Sequence, residues 1–379
     1  MRVALVRGSL LRVWELENYL IDGVDVDVVA SRATGGLTPP APQRLRTLRS
    51  LNDVVAGVSP QMRGVLDYFA GHTEYLLGLE RALRGYDIAH VLELQNPVTL
   101  QAVRARDRGN VRAVVATVME NIPFTPAQNP LVAKRVERNA RGVDHFLAIT
   151  ERARLHLQTF GIEDERISVV PVGIPTDRFS PGSEPRPNER FRIVCVARLE
   201  PGKGVEDLAI AVWLLHRRGI DAEVTFLGEG PSDGRIRHIA ATMGVEDRVT
   251  IRTAAWEELH TIHHTHDLFV MASAPTRNWR EQFGFAVVEA MASGLPCLVG
   301  DSGSLREVVG RPDQVVTPHD PIVLADRIAE LAAEAPLRRE LGEHNRRRAV
   351  EHFDVRVTRE RIGEVYAEVL ARASTSRSR

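Results

Sequence analysis

Lysine is almost missing from this chain. Of 49 basic residues only Lys134 and Lys203 are lysine, and the rest are arginine. A bias of this kind reflects genome composition, so a lysine at a suggestive position carries more information than usual. Cysteine is as scarce, with only Cys195 in "FRIVCVARL" and Cys297 in "GLPCLVG". Both lie in short apolar runs, which reads as buried reduced thiols and supports neither a disulfide scaffold nor a zinc site. An excess of either charge is lacking too: the formal net charge is -1, which argues against nucleic-acid binding driven by bulk charge. A local basic groove stays open. No apolar run approaches the ~20 residues that span a bilayer. The opening "MRVALVRGS" reads as a first strand, not a signal peptide. The expectation is a cytoplasmic protein, at most resting on a membrane surface.

What is present is an alternation. The 379 residues exceed what one compact core accommodates, so two domains are expected. Short apolar β-type runs alternate with longer helical-period segments, the pattern of a parallel sheet covered by helices. In the first half the strands are placed at 2–6, 24–30, 88–94, 112–118, 145–150 and 167–173, with helices at 63–83 and 96–109. The segment 174–190 is rich in Pro, Ser and charge and reads as a linker. The second block places strands at 191–197, 223–228, 249–253, 268–273 and 296–300, and helices at 204–219, 234–244, 285–293 and 321–334. The closing stretch 353–373 sets Val357, Ile362, Val365, Tyr366, Val369 and Leu370 on helical spacing, an apolar face that folding back onto the first domain would bury. The final "STSRSR" reads as a frayed tail. Two doubly wound domains imply a cleft between the carboxyl ends of their sheets, where open α/β sheets bind ligands.

The chemistry falls at those ends in the second half. Strand 191–197 runs into "RLEPGKG", which places Arg198 at its carboxyl end and Lys203 at the entry of a helix. A basic pair there, with Gly202 and Gly204 for close backbone approach, suits a diphosphate; a solvated turn with incidental charges is the plain alternative. In "FLGEGP" Gly228 ends a strand and leaves room for a ligand against the backbone, although an ordinary turn reads the same. In "WREQFGFAVVEAMASG" Glu281 lies on a loop, Gly284 permits close approach, and a helix begins near Phe285. The N–H groups at that start attract a diphosphate or sugar oxygens. Glu289 lies about one turn in, roughly 7 Å along the axis. Carboxylates accept from ribose or hexose hydroxyls. Gly303 in "DSGSLREVVG" sits on another strand-to-helix loop and is placed as a further phosphate or sugar contact.

These pieces in this order resemble the retaining glycosyltransferases of family 4, which have the GT-B fold. The family's E-x7-E marker is matched by Glu281 and Glu289, and its basic pair by Arg198 and Lys203. The stretch 149–181 also looks like the family's interdomain segment. The resemblance is specific over 149–345 and weaker over 1–148. It implies an α/β protein with two Rossmann-like domains facing a deep cleft: 1–175 on the acceptor side, 176–352 binding the nucleotide-sugar donor, and 353–379 a helix packing back on the first domain, with a tail. It implies that Arg198 and Lys203 bind the donor diphosphate in place of a metal, so that no cofactor is needed. Glu289 would then accept the ribose hydroxyls and Glu281 the hydroxyls of the transferred sugar, supported by amides near Phe283, Gly284 and Phe285. Retention implies same-face attack assisted by the departing phosphate. The acceptor would be a glycan, a lipid-linked sugar or a small metabolite.

The sequence also departs from the pattern. Relatives carry a histidine after the fourth strand, where this chain reads "TVMENIPF", with Glu120 and Asn121 as candidate acceptor-side groups. The loop after the first strand offers only Gly8 for the diphosphate, with Trp14 and Glu15 placed to shape the acceptor side. The histidines of "LHTIHHTHDLF" set His260 and His264 on one helical face, yet lack a further ligand group and read as a surface helix. The basic run 133–142 reads as a solvated helix face, with an anionic membrane surface as the minority reading. No G-x-G-x-x-G follows the first strand, which sets aside a nicotinamide enzyme. Rival readings within the fold are a nucleotide-sugar epimerase, a phosphorylase, and a sugar-nucleotide-binding protein without transferase activity.

Overall fold

A computed structural model of the chain describes residues 1–8, 13–32, 39–54, 74–123, 129–182 and 190–377. The chain forms two compact units, one of Met1–Gly173 with Val355–Arg379 and one of Ile174–Asp354.

The first unit is built on seven strands: β1 Arg2–Val6, β2 Asp25–Ser31, β3 Arg44–Leu48, β4 Tyr86–Leu92, β5 Val111–Val118, β6 His145–Ala148 and β7 Ile167–Val169. They form one sheet in the order β3-β2-β1-β4-β5-β6-β7. All pairings are parallel, and Val3 sits beside Val26 on one flank and Ile88 on the other. The strand order therefore reverses between β1 and β4. Central strands such as β5 (VRAVVATV) are apolar on both faces because both faces are covered. One face carries the helix Pro97–Asp107 and its neighbours. The other is closed by the helix Val355–Arg377, whose Ile362, Val365, Tyr366 and Val369 pack with Val3, Leu5, Val28, Ile88 and Val115. Burying each such side chain contributes on the order of 1.5–3 kcal/mol.

The second unit has six strands: β8 Phe191–Val196, β9 Ala222–Leu227, β10 Val249–Arg252, β11 Leu268–Met271, β12 Cys297–Gly300 and β13 Val315–Val316. Their sheet is parallel and runs in the order β10-β9-β8-β11-β12-β13. Here the order reverses between β8 and β11. Both thiols are free and buried, and burial pushes Cys195 up to about 12.

Several expectations need correction. The final residues do not fray before Arg377: the last helix includes them, and Ser374 Oγ accepts from Arg112 at 2.8 Å. The stretch 174–182 is no free linker. Ile174, Thr176 and Phe179 are buried, Thr176 donates to Asp354, and one Arg346 nitrogen donates to the carbonyls of Thr176, Phe179 and Ala292, each at 2.9 Å. Residues 183–189 lie outside the described residues. Of the helix placed at 63–83, residues 63–73 lie outside them too, and the remainder is helical only over Leu79–Ala82, after Gly78 at φ +80°. The histidine segment is not a plain surface helix. His263 and His266 are buried, with His263 Nδ1 3.1 Å from Ser293 Oγ and His266 Nδ1 2.7 Å from the Ile262 carbonyl.

Candidate functional site

Three loops of the second unit meet at the carboxyl end of its sheet, beside the reversal between β8 and β11. The first leaves β8 through Arg198 and Leu199 into a 3-10 turn at Pro201–Lys203. Its geometry depends on Gly204, at φ +66°, where a Cβ would stand 2.0 Å from the Ala272 carbonyl oxygen. The close approach there is of the chain to itself, between the loops after β8 and β11. Ala274 N, donating to Gly202 O at 3.0 Å, ties the same two loops.

This packing aims Lys203 at Glu281. Lys203 Nζ donates to Glu281 Oε2 at 2.6 Å, and the two side chains are only 11% and 12% exposed. The ammonium also stands 4.6 Å from the centre of the Trp279 ring. Glu281 Oε2 accepts a second bond from Ser273 Oγ at 3.3 Å, just past β11. The backbone of Glu281 is held by the loop after β12: Ser304 N donates to its carbonyl at 3.0 Å. Gly303, at φ +57°, makes this possible, because a Cβ there would fall 1.9 Å from Glu281 O. A nearly desolvated ion pair is held on all sides, and removing either partner would leave the other as a buried charge.

The other sequence candidates fall around it. Arg198 is far more exposed, at 66%, and bonds Glu200 at 2.6 Å, so each cation has its own carboxylate. Gly228 packs against the β8 loop, with no space for a Cβ beside Ala197 O. Gly284, at φ +87°, caps the helix Phe285–Ala292 without a side-chain acceptor. Phe283 is buried, with its ring 5.1 Å from that of Phe285. Glu289 lies one turn into the helix in a different environment from Glu281. It is buried, Oε1 accepts from Trp256 Nε1 at 2.7 Å, and burial pushes its carboxyl up to about 7 against the opposing pull of the indole. Trp256 is in turn packed by Phe179 and lies 4.5 Å below the Arg178 guanidinium.

In the first unit Gly8 follows β1, and a Cβ there would meet Glu74 Oε2 at 2.2 Å. Trp14 lies in the 3-10 turn Val13–Tyr19 with its side chain outside the described residues. Glu15 lines a small cavity together with Arg7, Asn18, Tyr19, Thr117 and Met119. Glu120 Oε1 accepts from the amides of Asn121 and Ile122, and Asn121 is buried. Sequence reasoning passed over Trp279, Trp256, Ser273 and Glu93. The two tryptophans had a usable signal, since the chain has only 4. Ser273 and Glu93 had none.

Comparison with known proteins places these units. The family model described as "Glycosyl transferases group 1" matches residues 177–348, and "Glycosyl transferase 4-like domain" matches 13–173. An MMP alpha-(1->4)-mannosyltransferase of Mycolicibacterium hassiacum is 30% identical over 361 residues, covering 93% of this chain and 80% of that protein. A GDP-mannose-dependent alpha-(1-6)-phosphatidylinositol monomannoside mannosyltransferase of Mycobacterium tuberculosis is 29% identical over 62% of this chain, and the match spans 64% of that protein's length. Among solved structures, sucrose-phosphate synthase of Thermosynechococcus elongatus superposes with a TM-score of 0.75 at 18% identity, covering 98% of this chain and 99% of that one. The Anabaena protein HepE in complex with UDP-glucose gives 0.71 at 16% identity, covering 97% and 100%. At these identities the structures establish the fold alone, which is GT-B.

Proposed function

Since the chain belongs to the glycosyl transferases group 1 family, we propose that it transfers a sugar from a nucleoside-diphosphate sugar to a carbohydrate, lipid-linked or small-metabolite acceptor, with retention and without a metal ion. The observation that carries this reading is the Lys203–Glu281 pair at the carboxyl edge of the second sheet. Arg198 and Lys203 take the donor diphosphate, Lys203 as a compact point charge and Arg198 as a fork. Glu289 takes the ribose hydroxyls, exchanging its indole partner for them. Glu281, held against Lys203, takes hydroxyls of the transferred sugar, and the start of the helix at Phe285 faces the charge that develops.

In the reaction the bond from the anomeric carbon to the diphosphate oxygen breaks. The acceptor hydroxyl attacks on the same face, and its proton passes to the departing phosphate oxygen. Lys203 stabilises the negative charge that grows on the leaving group, which is transition-state electrostatics and needs no protein nucleophile. The relatives' names make GDP-mannose the first donor to try. No helix of the described residues is long and apolar enough to cross a membrane. The reading adds a cytoplasmic location, with peripheral contact to a membrane surface where the acceptor is a lipid.

The test is incubation with UDP-, GDP- and ADP-sugars in EDTA, following released nucleotide and the anomeric configuration of the product. Release from one donor, unaffected by EDTA, is expected. Binding without release from any donor would reduce the protein to a nucleotide-sugar binder, and loss of activity in EDTA would overturn the metal-free step.

A further inference from the structure

The first unit has a carboxyl edge of its own, and the turn after β5 is built unusually. β5 ends at Val118, and three of the next four residues give their amide N–H groups to carboxylates of the chain itself. Met119 N reaches Glu93 Oε1 at 2.9 Å. Asn121 N and Ile122 N both reach Glu120 Oε1, each at 2.8 Å. Successive N–H groups converging on negative oxygens are the arrangement by which backbones bind phosphate.

The two carboxylates are held differently. Glu93 follows β4 in the left-handed region at φ +66°, with Thr99 Oγ1 donating to its carbonyl at 2.7 Å and its own amide donating to Thr117 O at 2.8 Å. A non-glycine residue in that region is kept there only by surroundings that over-determine it. Its Oε2 is buried and accepts from no group of the described residues. Glu120 is half-buried and reaches amides only one and two residues ahead. Rotation about its side-chain bonds would release both amides without moving the backbone.

We propose that this turn is a recognition site for a phosphate or carboxylate group borne by the acceptor, closed in the unliganded chain by the Glu120 carboxylate. Glu93 is the positioning residue that fixes the start of the turn through the Met119 amide. In assigning the anion to an acceptor the proposal rests on the transferase reading above. The exchange is chemically balanced: one anionic oxygen leaves the amides of Asn121 and Ile122 and another takes its place, while Glu120 turns to water. A phosphate offers a separate oxygen to each amide, where Glu120 serves both with one. A protonated Glu93 would add a donor for the incoming anion.

The test uses the full chain labelled with 15N-asparagine and 15N-isoleucine, without donor, titrated with inorganic phosphate, glucose 6-phosphate and glucose. The Asn121 and Ile122 amide resonances are expected to move with glucose 6-phosphate, less with inorganic phosphate, and not with glucose. Glu120→Ala should tighten anion binding read at those amides about tenfold. Glu120→Gln should tighten it less, because its side-chain oxygen still competes for the amides. Silent amides in Glu120→Ala would overturn the site. Equal gains in the Ala and Gln variants would reduce it to bulk charge, and equal affinity for the two phosphates would overturn its assignment to an acceptor. Because no turnover is read, a chain that moves no sugar yet shows the shifts loses the transferase reading and keeps the anion site. A working transferase with silent amides loses only the site.

Discussion

The two units share one sheet design and treat the charges of their strand-end loops in opposite ways, Glu289 of the second unit lying further off, in the helix Phe285–Ala292 and on an indole. In the second, Lys203 and Glu281 meet at 2.6 Å and neutralise each other. In the first, among the described residues, the buried charges at that edge are met by dipoles. Arg7 is 3% exposed and donates to neutral oxygens, Val6 O at 3.3 Å and Tyr19 Oη at 2.7 Å. Glu93 is held by the Met119 amide, and burial pushes its carboxyl up to about 7. A paired edge has its charges balanced before any ligand arrives. A single carboxyl held by dipoles, as Glu93 is, responds to protons instead.

The sharpest way to break that comparison is Lys203→Met. It removes the cation and strands the Glu281 carboxylate, and turnover at saturating donor should fall about 10²–10³-fold, equivalent to roughly 2.7–4 kcal/mol. The double variant Lys203→Met/Glu281→Gln should regain thermal stability without activity, since replacing both members of a buried pair is tolerated where losing one is not. Recovery of activity in the double variant would show the pair to be structural.

The first unit's side of the contrast is tested by pH. A carboxyl whose folded pKa is raised binds its proton more tightly in the folded state. Its stabilising contribution is therefore whole below its unfolded value of 4.5 and is lost as pH rises to about 7. Glu93→Gln should match the wild type near pH 4.5 and exceed it by up to about 3 kcal/mol above pH 8, read by denaturant unfolding. A like charge, Glu120, adds to the rise, so Glu120→Gln should reduce the pH dependence without removing it. A flat difference across pH would show Glu93 to be ionised and compensated.

Within the second unit the two glutamates should separate. Glu289→Ala should weaken donor binding about tenfold by calorimetry, whereas Glu281→Ala should act mainly on turnover. Equal, negligible effects would remove both roles. The smallest change expected is Trp279→Leu. It takes the ring from beneath the Lys203 ammonium, worth about 0.5–1 kcal/mol and so a factor of roughly two to five in turnover. A larger loss would mean that the ring meets the substrate.

The sequence made the second unit's edge readable because its parts lie close to strand ends and use rare residues, a lysine among arginines above all. The central strands were equally plain, since a parallel sheet covered on both faces leaves unbroken apolar runs. Of the edge strands, β7 and β10 were placed, but β3 and β13 were not. β3 reads RLRTL, with alternating arginines, because an edge strand faces water and here pairs Arg44 with Asp25 and Asp27. β13 is two residues long. The stretch 174–182 looks like a linker because its prolines and charges do, while what anchors it is Arg346, some 170 positions away. Glu93 was invisible for the same kind of reason: burial and backbone conformation gave it its character, and neither is written in a local motif.

The helix Val355–Arg377 has a consequence for synthesis. The first unit's sheet precedes the second unit in the chain, but the helix that covers one of its faces together with Leu16 and Tyr19 is made after the whole of Ile174–Asp354. During translation Val3, Leu5, Val28 and Ile88 wait without the cover of that helix while the second unit emerges and folds. Of the two units, the one whose synthesis starts earlier is thus completed later.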